Sequence, residues 1–336
     1  MKIGVLSLAF LTILSACQSQ ERTVSIGAPA KQALKTTELR SDGLTRLKTL
    51  AAQTELRNNA LFKNYNQRGV SRWNDGWTKR IDFSGVAWSH RQAGTAITPR
   101  HIVIAAHFPL GLDTSISFHD RSGVLHKRKV IERLSLRDRP QGSRHDIMVL
   151  LLDTPLPPSV KTYRLLPPRT DYGHTLIDCP AIVTEQKRRA FIHKVRSATR
   201  GRMGFKKNTD FPDELYKGLI KGDSGNPSFL LVGGEPVLIE THTGGGAGGG
   251  PFYSDPVVFK ALTEAVAKLD PAYKIETVPL DPQLAPAPPK TNVKPNSPLT
   301  PASKPSRPAG ATTPTTPTQK TKGNRFPRVR RVPVPE

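Results

Sequence analysis

Lys221-Gly222-Asp223-Ser224-Gly225-Asn226-Pro227 places a serine on a short turn with a glycine on either side. Glycine takes up the positive φ values that tight turns demand. A backbone of this kind presents a hydroxyl outward and leaves neighbouring N–H groups free. A serine hydroxyl is a weak nucleophile until a base removes its proton. The chain offers a base and a carboxylate upstream, in Ile104-Ala105-Ala106-His107 and in His145-Asp146-Ile147-Met148-Val149-Leu150. The order His, Asp, Ser is one of the convergent orders in which these three groups are assembled for acyl transfer.

Nine histidines compete for the role of base. His107 stands apart because it follows the apolar run Ile102-Val103-Ile104 and two small residues, Ala105 and Ala106, that let an imidazole approach a cleft. His101, His119, His126 and His193 lie beside charges and turns and read as surface residues. His145 would point away from Asp146 at a strand start, and His90 and His174 have no supporting context. Asp146 opens the unbroken apolar run 147–152, and a carboxylate at the mouth of a buried strand needs a partner to offset its desolvation.

Outward from these motifs, residues 81–243 alternate short β-rich apolar runs with Gly, Pro, Asp and Arg clusters. Strands are expected at 84–89, 93–98, 101–105, 115–119, 124–134, 146–152, 175–185, 191–197, 227–232 and 236–243. Regular short strands with turn punctuation indicate an all-β barrel or sandwich. Ser254-Asp255-Pro256 then supplies an N-cap and a proline for the first helical turn. Val258, Ala261, Leu262, Ala265, Val266 and Leu269 follow at spacings of three and four, which predicts a closing helix that ends near Asp270-Pro271. A weaker amphipathic pattern, Leu44, Leu47, Leu50 and Ala51, predicts a helix within 44–62 that packs on the back of the main domain.

Three segments carry a family resemblance. The run from Gly94 to His107 resembles the strand leading to the general base of trypsin-like, chymotrypsin-fold serine proteases, in their bacterial form. The segment from His145 to Leu150 resembles the one bearing their carboxylate. Gly222-Asp223-Ser224-Gly225-Asn226-Pro227 resembles their nucleophile loop, with Asn226 where glycine is usual. Together the motifs span most of 81–250. The resemblance implies two six-stranded antiparallel β-barrels with a cleft between them and a C-terminal helix. It implies a serine endopeptidase with His107, Asp146 and Ser224 as catalytic triad and the Gly222 and Ser224 N–H groups as oxyanion hole. Thr241, His242 and Thr243 would line the substrate backbone, with Thr241 hydrogen-bonded to Asp146. Gly218 would floor the primary pocket, and without a carboxylate there a preference for Lys or Arg is not supported. His242 and Thr243 would offer a polar wall to an acidic side chain, and the glycine-rich run 244–250 would form a mobile rim. No cofactor and no metal are implied. The alternatives are a non-catalytic binding or adhesion module on the same fold, or an esterase with the same triad. Phe108 stands where many relatives have a cysteine that clamps the histidine loop, and no Ile-Val-Gly-Gly activation start is present.

The ends of the chain read differently. Met1-Lys2, the apolar run 3–14 and Leu14-Ser15-Ala16-Cys17 resemble a bacterial lipoprotein signal, which implies cleavage before Cys17 and acylation of Cys17. That run is too short to remain as a spanning helix. Gln18 after the cysteine favours, by analogy, the outer membrane, facing the periplasm. The expected organisation is a signal at 1–16, a tether with a helix at 17–72, a protease domain at 73–275 and a disordered basic, Pro-rich tail at 276–336. Such a tail buries too little apolar surface to fold. With 50 Lys and Arg against 27 Asp and Glu, the formal charge is +23, so anionic partners are favoured. An acidic envelope polymer would suit the tail. No RNP-type, zinc-finger or helix-turn-helix pattern accompanies the charge, which argues against nucleic acid. With Cys17 acylated, Cys179 has no partner for an internal disulfide and reads as an inert core thiol.

Overall fold

The computed structural model describes residues 34–52, 58–137 and 145–281. Cys17 and the tail beyond 281 lie outside them. In chain order the elements are β1 (Leu34–Lys35), α1 (Leu39–Ala52), β2 (Phe62–Asn64), β3 (Arg72–Trp73), β4 (Val86–Ser89), β5 (Gln92–Ala96), β6 (His101–Ile104), β7 (Ser115–His119), β8 (Leu125–Ser135) and β9 (Met148–Leu152). There follow α2 (Tyr172–Thr175), β10 (Pro180–Glu185), β11 (Arg189–Thr199), β12 (Arg202–Lys207), β13 (Pro227–Val232), β14 (Glu235–Thr241), β15 (Gly249–Pro251), α3 (Pro256–Leu269) and β16 (Leu280–Asp281).

The first six long strands close into an antiparallel barrel in the order β4-β5-β6-β9-β8-β7. The second six form a barrel-like sheet in the order β14-β13-β10-β11-β12-β15. Thr243 and Gly244 both donate to the Gly249 carbonyl, at 3.0 and 3.1 Å, which draws the ends of this sheet together. This is the chymotrypsin-like architecture.

Side-chain alternation builds the molecule from these strands, since neighbouring residues face opposite sides of a sheet. Ile102, Ile104, Leu150 and Leu152 fill the first barrel. Val103, Val149 and Leu151 face out of it, into a shared core with Ile182, Phe229 and Leu238 of the second sheet. Val183, Leu230, Val237 and Ile239 fill the second barrel. Strands that are apolar on both faces are thus explained by three cores, one inside each barrel and one between them.

α3 matches its expectation. The Asp255 carboxylate accepts from the N–H groups of Val257 and Val258, Pro256 opens the first turn, and the six periodic apolar residues are buried. α1 starts earlier than expected: it runs Leu39–Ala52 rather than within 44–62, and after it β2 pairs with β3. Leu47 and Ala51 enter the shared core. The helix lies close to the sheet because Gly43 meets the Pro180 ring with no side chain of its own. At the other end, β16 pairs in parallel with β1, so ordered backbone continues past 276.

The strand boundaries differ most at 175–185. Residues 172–175 are helical and the strand begins only at Pro180. β12 and β15 answer no predicted strand. Arg202-Met203-Gly204-Phe205-Lys206-Lys207 is charged at both ends, and Gly249-Gly250-Pro251 carries no β-forming side chain, so neither shows the usual signal.

Three histidines expected at the surface are buried: His101, His119 and His193 are each at most 1 % exposed. Each has a polar partner that makes burial tolerable. His101 Nδ1 meets Thr98 Oγ1 at 2.8 Å, His119 Nε2 the carbonyls of Asn66 and Gly69, and His193 Nδ1 the Ala247 carbonyl at 2.8 Å. Burial holds the pKa of His101 and His193 down to about 4.

Candidate functional site

β6 ends at Ile104, and the chain leaves the first barrel through Ala105 and Ala106 to His107. Asp146 precedes β9, which pairs with β6 in the register Ile104↔Met148. Pairing of these two strands therefore delivers the imidazole and the carboxylate to the same barrel end. Asp146 grips His107 twice: Oδ1 accepts the His107 backbone N–H at 2.8 Å, and Oδ2 lies 2.6 Å from Nδ1. The backbone grip fixes the histidine loop. His107 Nε2 is 2.8 Å from Ser224 Oγ. With Nδ1–H donated to the carboxylate, Nε2 is left to accept the serine proton.

Ser224 comes from the second sheet, three residues before β13. Gly222 and Gly225 flank it at φ +100° and +84°. Among the described residues, neither the Gly222 nor the Ser224 N–H donates to a backbone carbonyl, whereas Asp223, Gly225 and Asn226 donate to Ile220, His242 and Asp223 respectively. The turn is held from beneath by Asp223, which is buried. Its carboxylate accepts the N–H of Ile220 at 2.7 Å and of Gln186 at 3.2 Å. Two backbone donors thus occupy the carboxylate and anchor the loop. Asn226 does not use positive φ. It is buried, and its amide donates to the Asp223 carbonyl at 3.1 Å.

The residues expected to bind substrate are placed differently from one another. Thr241 is buried and its hydroxyl meets Tyr253 Oη at 2.7 Å, not Asp146. As the last residue of β14 it faces inward, and Tyr253 takes its hydroxyl. Burial also raises the pKa of the Tyr253 phenol above the ordinary tyrosine value, keeping it a neutral partner. His242 is 1 % exposed. Its Nε2 lies 3.0 Å from the Thr184 carbonyl and its Nδ1 2.8 Å from Oε1 of buried Glu240. Both ring nitrogens therefore face protein groups, and the ring is no wall for an acidic side chain. Thr243 is half-buried, and its N–H is spent on the Gly249 carbonyl. Gly218 lies beside Gly246, and its neighbour Leu219 exchanges two hydrogen bonds with Gly246, at 2.6 and 3.0 Å. The glycine run is therefore tied to the 218–219 segment and to β12 rather than standing as a free rim.

Sequence reasoning missed Gln186 and Gln92. Gln186 leaves the β10–β11 hairpin to donate from its side chain to the Lys221 carbonyl at 3.1 Å, and it packs against the bare face of Gly222. Gln92 donates to the Pro109 carbonyl at 2.8 Å, just after the histidine loop. Both are remote in sequence from what they brace, and no local motif marks them. Cys179 is buried, and burial pushes its thiol up to about 12, which leaves it a thiol at neutral pH. Among the described residues, no group of three or more His, Cys, Asp or Glu side chains is arranged to hold a metal ion.

The chain matches no protein-family model and no curated protein. Among solved structures, a mutant of human heparin binding protein aligns with 56 % of this chain and 93 % of its own, at 17 % sequence identity and a TM-score of 0.42.

Proposed function

We propose that this chymotrypsin-like two-barrel protein is a serine endopeptidase. The reading rests on one observation: an unbroken relay runs from Asp146 through His107 to Ser224, at 2.6 and 2.8 Å. In this mechanism His107 Nε2 takes the Ser224 proton as Oγ attacks a peptide carbonyl. The developing oxyanion is held by the Gly222 and Ser224 N–H groups, which donate to no backbone carbonyl among the described residues. Collapse breaks the C–N bond, and the amine leaves with the proton from His107. Water, deprotonated by the same imidazole, then hydrolyses the acyl-enzyme. Loss of one oxyanion donor typically costs about a hundred- to a thousand-fold in rate.

A fluorophosphonate probe tests this directly. The wild-type protein should be labelled and Ser224→Ala should not. A folded wild-type protein that takes up no label would point to the non-catalytic binding module instead. Digestion of a peptide library in parallel with a short-chain ester assay separates endopeptidase from esterase.

Leu14-Ser15-Ala16-Cys17 supports a second part of the proposal, acyl anchoring at Cys17 in a bacterial envelope. More than one acyl chain, at about 0.8 kcal/mol per buried methylene, holds a protein stably at a bilayer. Mass spectrometry of the mature N-terminus should find a lipid-modified cysteine; an unmodified terminus would end this part of the proposal.

A further inference from the structure

Two hairpin tips meet beside the nucleophile turn, and both are built against backbone preference. The β4–β5 hairpin closes through His90 and Arg91 between the pair Ser89↔Gln92. The β10–β11 hairpin closes through Gln186, Lys187 and Arg188 between Glu185↔Arg189. His90 has φ +55° and Arg188 φ +58°, the region where glycine is the relaxed choice. Keeping long side chains there costs free energy, and strain retained of this kind clusters at binding sites. The tips are joined, since Arg188 Nη2 donates to the His90 carbonyl at 3.2 Å. Its guanidinium also stacks 3.8 Å from the centroid of the Tyr65 ring.

These tips border the reacting centre on one side. Gln186 packs on Gly222 and bonds to the Lys221 carbonyl. Gly225 lies against the Ala93 carbonyl, two residues from Arg91. Gln92 bonds to the segment that follows His107. The leaving half takes its proton from His107, so it belongs on the imidazole side of the centre, where the β4–β5 tip borders the segment after His107.

That side is cationic. Arg91, Lys187 and Lys221 are exposed. Neither they nor Arg188 ion-pairs with a carboxylate among the described residues, whereas Arg189 and Lys217 nearby are both neutralised by buried Glu185. Beyond His90 the surface opens into a cavity of about 280 Å³ that Arg68 and Lys127 line with serine and threonine hydroxyls and no carboxylate.

We propose that Arg91, Lys187, Arg188 and Lys221 form the binding surface for the leaving side of the substrate, and that they select acidic residues on that side of the scissile bond. The inference rests on the endopeptidase reading and deepens it.

The test compares two internally quenched peptides of identical composition and net charge, with Asp and Glu placed either before or after the scissile bond. The net charge of the protein acts equally on both, so their ratio reports the local surface. With the full-length protein, acids on the leaving side should raise kcat/KM roughly tenfold over acids on the acyl side. The ratio should shrink as salt rises from about 0.05 to about 0.5 M, as the Debye length falls towards that of strong brine. The double variant Arg91→Glu/Lys187→Glu should reverse the preference. Equal rates for the two peptides, with fluorophosphonate labelling intact, would overturn this proposal alone. Cleavage of neither peptide and absence of labelling would overturn the endopeptidase reading and this proposal together.

Discussion

Asp146 uses its two oxygens for different tasks, and this makes an amide substitution informative. In Asp146→Asn, the oxygen can go on accepting the His107 backbone N–H, which turns the NH₂ towards Nδ1. Nδ1 must then accept, and the ring proton moves to Nε2, where it faces Ser224 and disables the base. In the serine-protease template this exchange lowers kcat by about 10⁴ with geometry intact. A drop of that order in the rate of fluorophosphonate labelling, with an unchanged melting temperature, is expected; a loss under tenfold would show that Asp146 does not set the tautomer. Thr241 allows the converse prediction. Because its hydroxyl pairs with buried Tyr253, Thr241→Val leaves the phenol without a partner. It should cost about 1–3 kcal/mol in denaturant unfolding, while kcat/KM stays within a few-fold of wild type. A large loss of kcat without loss of stability would instead link Thr241 to Asp146.

Elements matter here through where they terminate. The nucleophile turn works because β13 starts just past it and because Gly225 accepts φ +84° with the Ala93 carbonyl and Ala105 nitrogen close to where a side chain would stand. An added Cβ would sit 3.2 Å from that carbonyl, so Gly225→Ala combines crowding with backbone strain of order 1–3 kcal/mol. Chemical denaturation should show the loss, and labelling of Ser224 should slow because the turn moves. α1 is an element whose role lies in packing. Leu47 is fully buried in the core between the barrels, so Leu47→Ala should cost about 2–5 kcal/mol. If the melting curve were unchanged, the helix would be an appendage rather than part of the fold.

For the whole molecule, two buried imidazoles set a pH dependence. His101 and His193 are folded neutral, with pKa values near 4 because burial disfavours the cation. Asp270 partly opposes that shift at His101, where Arg100 reinforces it, while His242 adds to it at His193 and the Ala247 carbonyl opposes it. In the unfolded chain both titrate near the ordinary value of about 6.5. Between those limits the unfolded state binds more protons, so stability is full above about pH 6.5 and is lost as pH falls towards 4. Glu185 acts in the same direction at lower pH: burial raises its pKa, but Arg189 and Lys217 outweigh this and hold it below the usual carboxylate range. The melting temperature of Ser224→Ala, chosen to prevent self-cleavage, should fall steadily from pH 6.5 to 4.5, and His101→Gln should flatten that slope. A flat profile in the unsubstituted background would contradict neutral burial.

Features written in neighbouring residues were legible before any coordinates: the cap and apolar rhythm of α3, the glycine-flanked turn at Ser224, and most barrel strands with their two apolar faces. Capping, turn geometry and side-chain alternation act over a few residues, so a linear reading captures them. The motifs around His107, Asp146 and Ser224 were visible too, each within its own segment. What escaped depends on neighbours far along the chain. His101, His119 and His193 sit beside charges in sequence yet face interiors. Thr241 turns to Tyr253 rather than Asp146, both nitrogens of His242 are occupied, and glycine strand β15 is held by its partner β12 rather than by propensity. The meeting of the His90–Arg91 and Gln186–Arg188 tips beside Gly222 belongs to the same class. Burial, partnership and surface charge arise only when separate segments are packed against one another, because an interaction energy between two groups is set by their distance in space and not by their separation along the backbone.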